Sequence, residues 1–346
     1  MDAILSPRRR RLLLGFGALT LAGCGRSGSD ARYRQFGGAT MGSNWTVRCA
    51  AGREQEGALH AAVQAALDAV DNRMSMFSGD SELTAFNAAA PDRRLFLSEE
   101  LYRVLATATE VSRWSGGAFD VTVAPLVERW GFGTRAQRAV PAASAITADR
   151  SRIGWQSLVL APGDRSAIKA MAGLHADLGG IAKGYGVDRA AAALESHGVE
   201  HYMVEVGGEV RTRGVNAEGR AWRIGIEEPD AMPQRARWIV ALDGRAMATS
   251  GDYRNYFIED GRRYSHEIDP VSGAPVCHNL CSVTVVADDC LRADALATAL
   301  IVLGAERGRA LAEASGVAAQ FVERQPGGSF RDSMTPAFAA LRPERA

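Results

Sequence analysis

Apolar residues recur at helical spacing in four stretches of the chain. Leu59, Ala62, Val63, Ala66, Leu67 and Val70 mark one face of the segment from Glu56 to Arg73, and this period predicts an amphipathic helix. Ser98, followed by Glu99 and Glu100, supplies an N-cap and an acidic first turn. Leu101, Val104, Leu105, Ala108 and Val111 then share one face until Gly116 and Gly117 stop the helix. A third helix is expected after Lys183, ending near His197 and Gly198, and a fourth from Ala293 to Leu303 with Gly304 as its stop. Strand-like runs cover Trp45 to Cys49, His201 to Val206, Trp222 to Glu227, Trp238 to Leu242, Tyr253 to Ile258, Arg263 to Ile268 and Ser282 to Ala287. Most of them follow one another in the second half. Consecutive strands favour antiparallel pairing, so the expected class is α+β rather than a doubly wound parallel sheet. Arg135 to Arg152 is expected to be a surface loop, and no solenoid repeat is present.

The N-terminus departs from this pattern. Arg8 to Arg11 precede the apolar run Leu12 to Ala22, which ends in Leu21-Ala22-Gly23-Cys24. Such a run is short for a membrane span and suits an export signal over residues 1–23, with a lipobox that makes Cys24 the acylated residue. The arginines followed by Leu12 and Leu13 fit a twin-arginine signal, with general secretion as the alternative route. Residues 24–33, rich in Gly and Ser, read as a tether, and 34–346 as the folded domain. The chain is therefore expected to be lipid-anchored on the periplasmic side of a bacterial envelope. Forty basic against forty acidic residues leave no net charge, which argues against nucleic acid as a partner. Cys49, Cys277, Cys281 and Cys290 remain after Cys24; they read as buried or paired thiols, because the Cys277, His278, Cys281 spacing fits no zinc ribbon.

Candidate chemistry begins with DLGGIAKGYGVD, Asp177 to Asp188. Gly179, Gly180 and Gly184 would let backbone N–H groups approach anionic oxygens, and Lys183 adds a positive charge near a helix start. Asp177 suits a ligand hydroxyl or ring N–H, or shapes the loop. The order matches neither a P-loop nor a GxGxxG fingerprint. In RADALATAL, Asp294 and Thr298 share one helical face and offer hard oxygens suited to magnesium; favouring the helix dipole and bonding the local backbone are the alternatives. His266 in YSHEIDPVSGAP can relay a proton, while Asp269 before Pro270 also suits a turn. Thr249 and Ser250 fall in an expected tight loop, where their hydroxyls suit either phosphate binding or capping of the turn. Phe119 beside Asp120 fits a flat heterocycle, and Phe77 and Met41 are stacking candidates or core residues.

The blocks ATMGS, SMFSGDSELTAFN, GGAFDVTVAPLVERWGFG, DLGGIAKGYGVD, VGGEV, ATSGDYRNYF, SHEIDP and RADALATAL, in this order from about Gly38 to Gly304, resemble the FAD:protein FMN transferases, formerly the ApbE-type thiamine-biosynthesis lipoproteins. The resemblance implies a T-fold-related α+β fold with antiparallel sheets packed against helices, FAD as substrate and Mg2+ at its diphosphate. It places Met41, Phe77, Ala118, Phe119, Asp120, Asp177, Lys183 and Ile268 at FAD-contacting positions. Gly180, through its carbonyl, Asp294 and Thr298 fall at magnesium positions. The implied reaction moves FMN from FAD to a Thr or Ser hydroxyl of an exported or membrane flavoprotein and releases AMP. Acceptors of relatives are subunits of sodium- or proton-translocating membrane redox complexes and a membrane regulator of nitrous oxide reduction. His266 is the candidate catalytic base, with Asp294 the alternative. An FAD pyrophosphatase and a non-catalytic FAD-binding lipoprotein are the competing functions. Val121 stands where the family usually has proline, Glu205 where it has asparagine and Glu267 where it has isoleucine; an added carboxylate at Glu205 would repel phosphate unless it faces metal or solvent.

Overall fold

The computed structural model describes residues 33–134 and 137–346. The export segment, Cys24 and all of the tether but Tyr33 lie outside the described residues. Tyr33 opens β1 (Tyr33–Thr40), and its hydroxyl donates to the Val215 carbonyl at 2.6 Å. β2 (Ser43–Ala50), α1 (Glu56–Met74), α2 (Glu82–Ala88), β3 (Arg94–Phe96) and α3 (Glu99–Trp114) follow. Then come α4 (Ala124–Arg129), α5 (Ala143–Arg150), β4 (Leu158–Ala161), β5 (Ser166–Lys169), α6 (Ala182–Ser196), β6 (Tyr202–Val206) and β7 (Glu209–Arg213). The second half runs β8 (Trp222–Glu227), β9 (Ala236–Leu242), β10 (Ala246–Gly251), β11 (Tyr256–Glu259), β12 (Arg262–Ser265), β13 (Ile268–Asp269), β14 (Ala274–Pro275) and β15 (Leu280–Ala287). It closes with α7 (Cys290–Leu303), α8 (Ala305–Ala314), β16 (Ala318–Arg324), β17 (Phe330–Met334), α9 (Pro336–Ala339) and β18 (Glu344–Arg345).

Eight strands form one antiparallel sheet in the order β1-β2-β6-β7-β10-β15-β16-β17, so the α+β expectation holds. One face carries helices. Leu59, Val63 and Leu67 of α1 and Val187, Ala190 and Leu194 of α6 pack on Trp45, Val47, Val204 and Val206, while Ala293, Ala297, Leu300 and Ile301 of α7 pack on Ala248, Val283, Val285 and Phe321. The other face meets the β18-β9-β8 sheet through Met203, Val210, Met247 and Val286. A sheet covered on both faces has strands buried along their length, as β6 and β15 are, instead of alternating ones.

All four expected helices begin and end within a few residues of the expected positions. Ser98 Oγ accepts the Leu101 N–H at 3.2 Å, and Asp289, not an expected residue, caps α7 by accepting the Arg292 N–H at 2.8 Å. The loop expected from Arg135 to Arg152 contains α5, anchored by Asp149, whose buried carboxylate pairs with Arg129 and Arg152. The run from Arg263 to Ile268 breaks at His266 and Glu267 between β12 and β13, and the tight loop expected at Thr249 and Ser250 is instead the central strand β10. Cys49, Cys281 and Cys290 are buried, Cys277 is exposed, and all four thiols are free. Among the described residues no helix is long and apolar enough to cross a membrane.

Candidate active site at the junction of two helices and the central sheet

Asp177 begins the site loop. Its N–H donates to the Val121 carbonyl at 2.7 Å, and its Oδ1 accepts the Gly179 N–H at 2.7 Å, an Asx-type turn that swings the chain into α6. The turn brings the Gly180 carbonyl to α7, where Thr298 Oγ1 donates to it at 3.4 Å. A Cβ on Gly180 would stand 2.9 Å from Thr298 Oγ1, so only glycine lets these oxygens meet. Asp294 lies one turn before Thr298, is 3% exposed, and its Oδ2 accepts the Gly184 N–H at 2.9 Å. Gly184 therefore does not offer its N–H to a phosphate, as its sequence context suggested. It sits inside α6, where the N–H orients Asp294 and the missing Cβ admits α7: an added one would come within 2.2 Å of the Cys290 carbonyl oxygen. From β10, Ser250 Oγ reaches Thr298 Oγ1 at 3.1 Å.

Lys183, the second residue of α6, joins this group and bonds Glu209 Oε1 of β7 at 2.5 Å. Burial disfavours its ammonium, but Glu209 and Asp294 outweigh burial and hold its proton above the ordinary lysine range. Burial pushes the Glu209 and Asp294 carboxyls up, with Lys183 pulling each back. His266 lies within reach of the Lys183 charge. Burial first, then the Lys183 and Arg138 charges, lower its imidazole to about 4, so it is neutral at pH 7 and open to a proton. Glu267 beside it is raised to about 8 by burial, then by Asp252 and Asp294 against Lys183, and stays neutral at pH 7. Neither departure from the family pattern therefore sets a bare charge against phosphate: Glu267 is protonated, and Glu205 Oε1 accepts the Gly208 N–H at 2.7 Å.

These shifts predict how the ligand-free fold responds to pH. His266 binds its proton less tightly than the 6.5 of an unfolded histidine, so its contribution is lost as pH falls from 6.5 towards 4. Glu267 binds its proton more tightly than the ordinary 4.5, so its contribution is full below 4.5 and is lost as pH rises towards 8. The two oppose each other between 4.5 and 6.5; above 6.5 the Glu267 loss remains, and the Glu209 carboxyl, raised by burial as well, adds to it in the same direction. Urea midpoints should fall between pH 6.5 and 8, and a rise over that interval would contradict the assignment.

A second group of expected residues lies along the chain entering the site. Asp120 Oδ1 accepts the Thr122 N–H and hydroxyl, and its Oδ2 accepts the Trp155 N–H at 3.0 Å, so this carboxylate fastens its own loop. The aromatic face expected beside it is not open, because Phe119 is 4% exposed in the core and Ala118 is buried next to it. Phe77, by contrast, is 70% exposed, which removes the core alternative. Met41 turns the β1–β2 hairpin at φ +45°, and its side chain fills the space left by Gly186. Ile268 is buried against Leu126 and Trp130. Asp269 accepts the Val271 and Ser272 N–H groups as a turn former. Ser250, a candidate phosphate binder or turn cap in an expected loop, stands instead on β10 against Thr298, and Glu209, present in the sequence only within VGGEV, is the site residue that the sequence does not single out.

The Gly180 carbonyl and Thr298 hydroxyl, with the Asp294 carboxylate one helical turn away and the Lys183 ammonium nearby, lie on helices laid over an antiparallel sheet, a set of groups suited to an enzyme of group transfer from a phosphorylated substrate. The chain belongs to the ApbE family, whose family model matches residues 41–321. An FAD:protein FMN transferase from Vibrio cholerae is 41% identical over 300 residues, covering 86% of this chain and 88% of its own. One from Klebsiella pneumoniae is 37% identical over 337 residues, 95% of this chain and 96% of its own. The crystal structure of the flavinyl transferase ApbE from Pseudomonas stutzeri, in its apo form, superposes with a TM-score of 0.81 at 41% identity, covering 89% of this chain and 96% of that one.

Proposed function

We propose that this chain is a magnesium-dependent FAD:protein FMN transferase that modifies a Thr or Ser hydroxyl of an exported or membrane flavoprotein and releases AMP. The observation that carries the reading is the meeting of Gly180 O, Thr298 Oγ1 and the Asp294 carboxylate beside Lys183. The residues fit magnesium: all three are hard oxygen donors, Gly180 has no Cβ to separate them, and one carboxylate leaves positions for water and phosphate. Held by these residues, the ion would neutralise diphosphate charge.

In the transfer, the acceptor oxygen attacks the phosphorus of the FMN half, and the bond from that phosphorus to the bridging oxygen breaks. The electron pair leaves with AMP and the hydroxyl proton goes to the base. Lys183 stands where it can donate to the diphosphate, and alignment contributes more than any covalent enzyme intermediate. His266, with 37% of its side chain exposed and its imidazole neutral, is open to an acceptor hydroxyl and is the base. Asp294, the other candidate, is 3% exposed with one oxygen spent on Gly184, and serves the metal. Phe77 and Asp177 meet the flavin nucleotide with Met41 and Ile268, while Ala118, Phe119 and Asp120 act through the loop they build.

The apolar run before Cys24 supports a lipid-anchored position on the periplasmic side, next to a membrane flavoprotein such as a redox-complex subunit or a regulator of nitrous oxide reduction. Incubation with FAD, magnesium and a Thr-containing acceptor should add one FMN to the acceptor's intact mass; FMN released without a mass gain would identify a pyrophosphatase instead. His266→Ala should slow transfer by about 10²-fold or more. A wild-type rate across pH would remove the base assignment.

A further inference from the structure

Of the forty basic residues of the chain only Lys169 and Lys183 are lysines. Lys169 is 2% exposed and donates to the Asn87 carbonyl at 2.8 Å. Lys183 instead meets a carboxylate far away in sequence, Glu209, on the strand that follows Gly207 and Gly208. Those glycines take φ +60° and +108°, and Gly208 is fastened by the Glu205 carboxylate, so the turn delivers Glu209 inward, where it is 1% exposed. Only one of its oxygens is used by Lys183. Glu209 Oε2 is buried and has no partner among the described residues, and neither does Ser43 Oγ close by: a Cβ on Gly207 would stand 3.0 Å from the serine oxygen and 3.6 Å from the glutamate one.

Stability does not explain this arrangement. A buried ion pair with a polar atom left over is on average no better than an apolar pair of the same volume, and Asp294 adds a second carboxylate beside the same ammonium. Donor geometry does explain it. An ammonium has three N–H donors in a compact head, so a bond to one glutamate oxygen leaves two. The side chain of Lys183 keeps 34% of its surface open, which lets those two face a ligand. An arginine at this position would clasp both glutamate oxygens with its planar fork and turn its donors away from the cleft.

We propose that Glu209 is a positioning residue for Lys183: it fixes the ammonium at the cleft with two donors left for an anionic substrate oxygen. That this oxygen belongs to a diphosphate rests on the flavin-transfer reading; the positioning does not.

Three variants of the full chain test it: Glu209→Gln, Glu209→Asp and Lys183→Arg. With so few lysines, acetylation by acetic anhydride followed by peptide mass spectrometry reports Lys183 directly, with buried Lys169 as internal reference. In Glu209→Gln the Lys183 labelling rate should rise by about tenfold, the change that one unit in a lysine's proton affinity produces. Its kcat for FMN transfer should fall by roughly tenfold or more while KM for FAD moves by less than about threefold, the signature of an interaction used in the transition state. Lys183→Arg keeps the charge and should lose a similar factor in kcat. If Glu209→Gln does not fold, Glu209→Asp keeps the charge, withdraws the carboxylate by one methylene and should show the same kcat loss at a smaller size. Unchanged Lys183 labelling in Glu209→Gln, or a wild-type kcat in any of the three, would overturn the proposal. A wild-type chain that fails to flavinylate while the labelling change persists would strike the flavin-transfer reading and leave the positioning role standing.

Discussion

Asp294→Asn should lower the rate of FMN transfer by about 10²- to 10³-fold, the usual loss when a group that stabilises developing charge is removed. Asparagine keeps the size of the side chain and an oxygen to accept the Gly184 N–H, which Asp294 accepts at 2.9 Å. What it loses is the charge that, on the proposed function, would face magnesium and the diphosphate. The fold should not suffer. Asp294 raises the Glu209 carboxyl, and both are buried beside one lysine, so neutralising one relieves repulsion between them. Melting temperature should therefore stay level or rise while activity collapses. Transfer within about threefold of wild type would remove Asp294 from the metal site.

Gly184→Ala is expected to cost both stability and activity. Within a helix this substitution ordinarily stabilises by about 0.5–1 kcal/mol. Here the added Cβ would lie 2.2 Å from the Cys290 carbonyl oxygen, 2.7 Å from its carbon and 2.8 Å from Asp294 Cβ. Two of these atoms are backbone and cannot swing aside, so α6 and α7 must separate. Overpacking of this kind costs about 1–3 kcal/mol or more, which reverses the sign. The separation also breaks the bond that orients Asp294. Gly57 on α1, whose added Cβ meets nothing, is the control: Gly57→Ala should leave the transfer rate intact and the urea midpoint level or higher. A Gly184→Ala protein as stable as wild type would show that the two helices are not packed as described.

The sequence carries the helices because their apolar faces repeat against a single surface. It does not carry β10, whose Ala246–Gly251 run of small and hydroxyl residues looks like a turn until helix α7 and the β8–β9 pair cover it from both sides. α5 was hidden by a similar ambiguity: an alanine-rich segment bounded by arginines becomes a helix only when buried Asp149 ties Arg129 and Arg152 to it. In the site, Gly180, Lys183, Asp294 and Thr298, which the fold brings together, stand out in the sequence because glycine, ammonium and hard oxygen are types that the proposed phosphate and magnesium chemistry requires. Gly184 was misread for the same reason, since a glycine that lets helices touch and one that cradles phosphate look alike in sequence. Glu209 could not be found at all. An acid at the start of a strand reads as solvated, and only the fold reveals that it is buried against a lysine.

The central claim is that FAD is cleaved by an acceptor hydroxyl at this site, and the ratio of two products tests it most directly. With FAD, magnesium and excess acceptor, AMP released and FMN bound covalently to the acceptor should appear in equal amounts. AMP accompanied by free FMN, or FAD left intact, would contradict it.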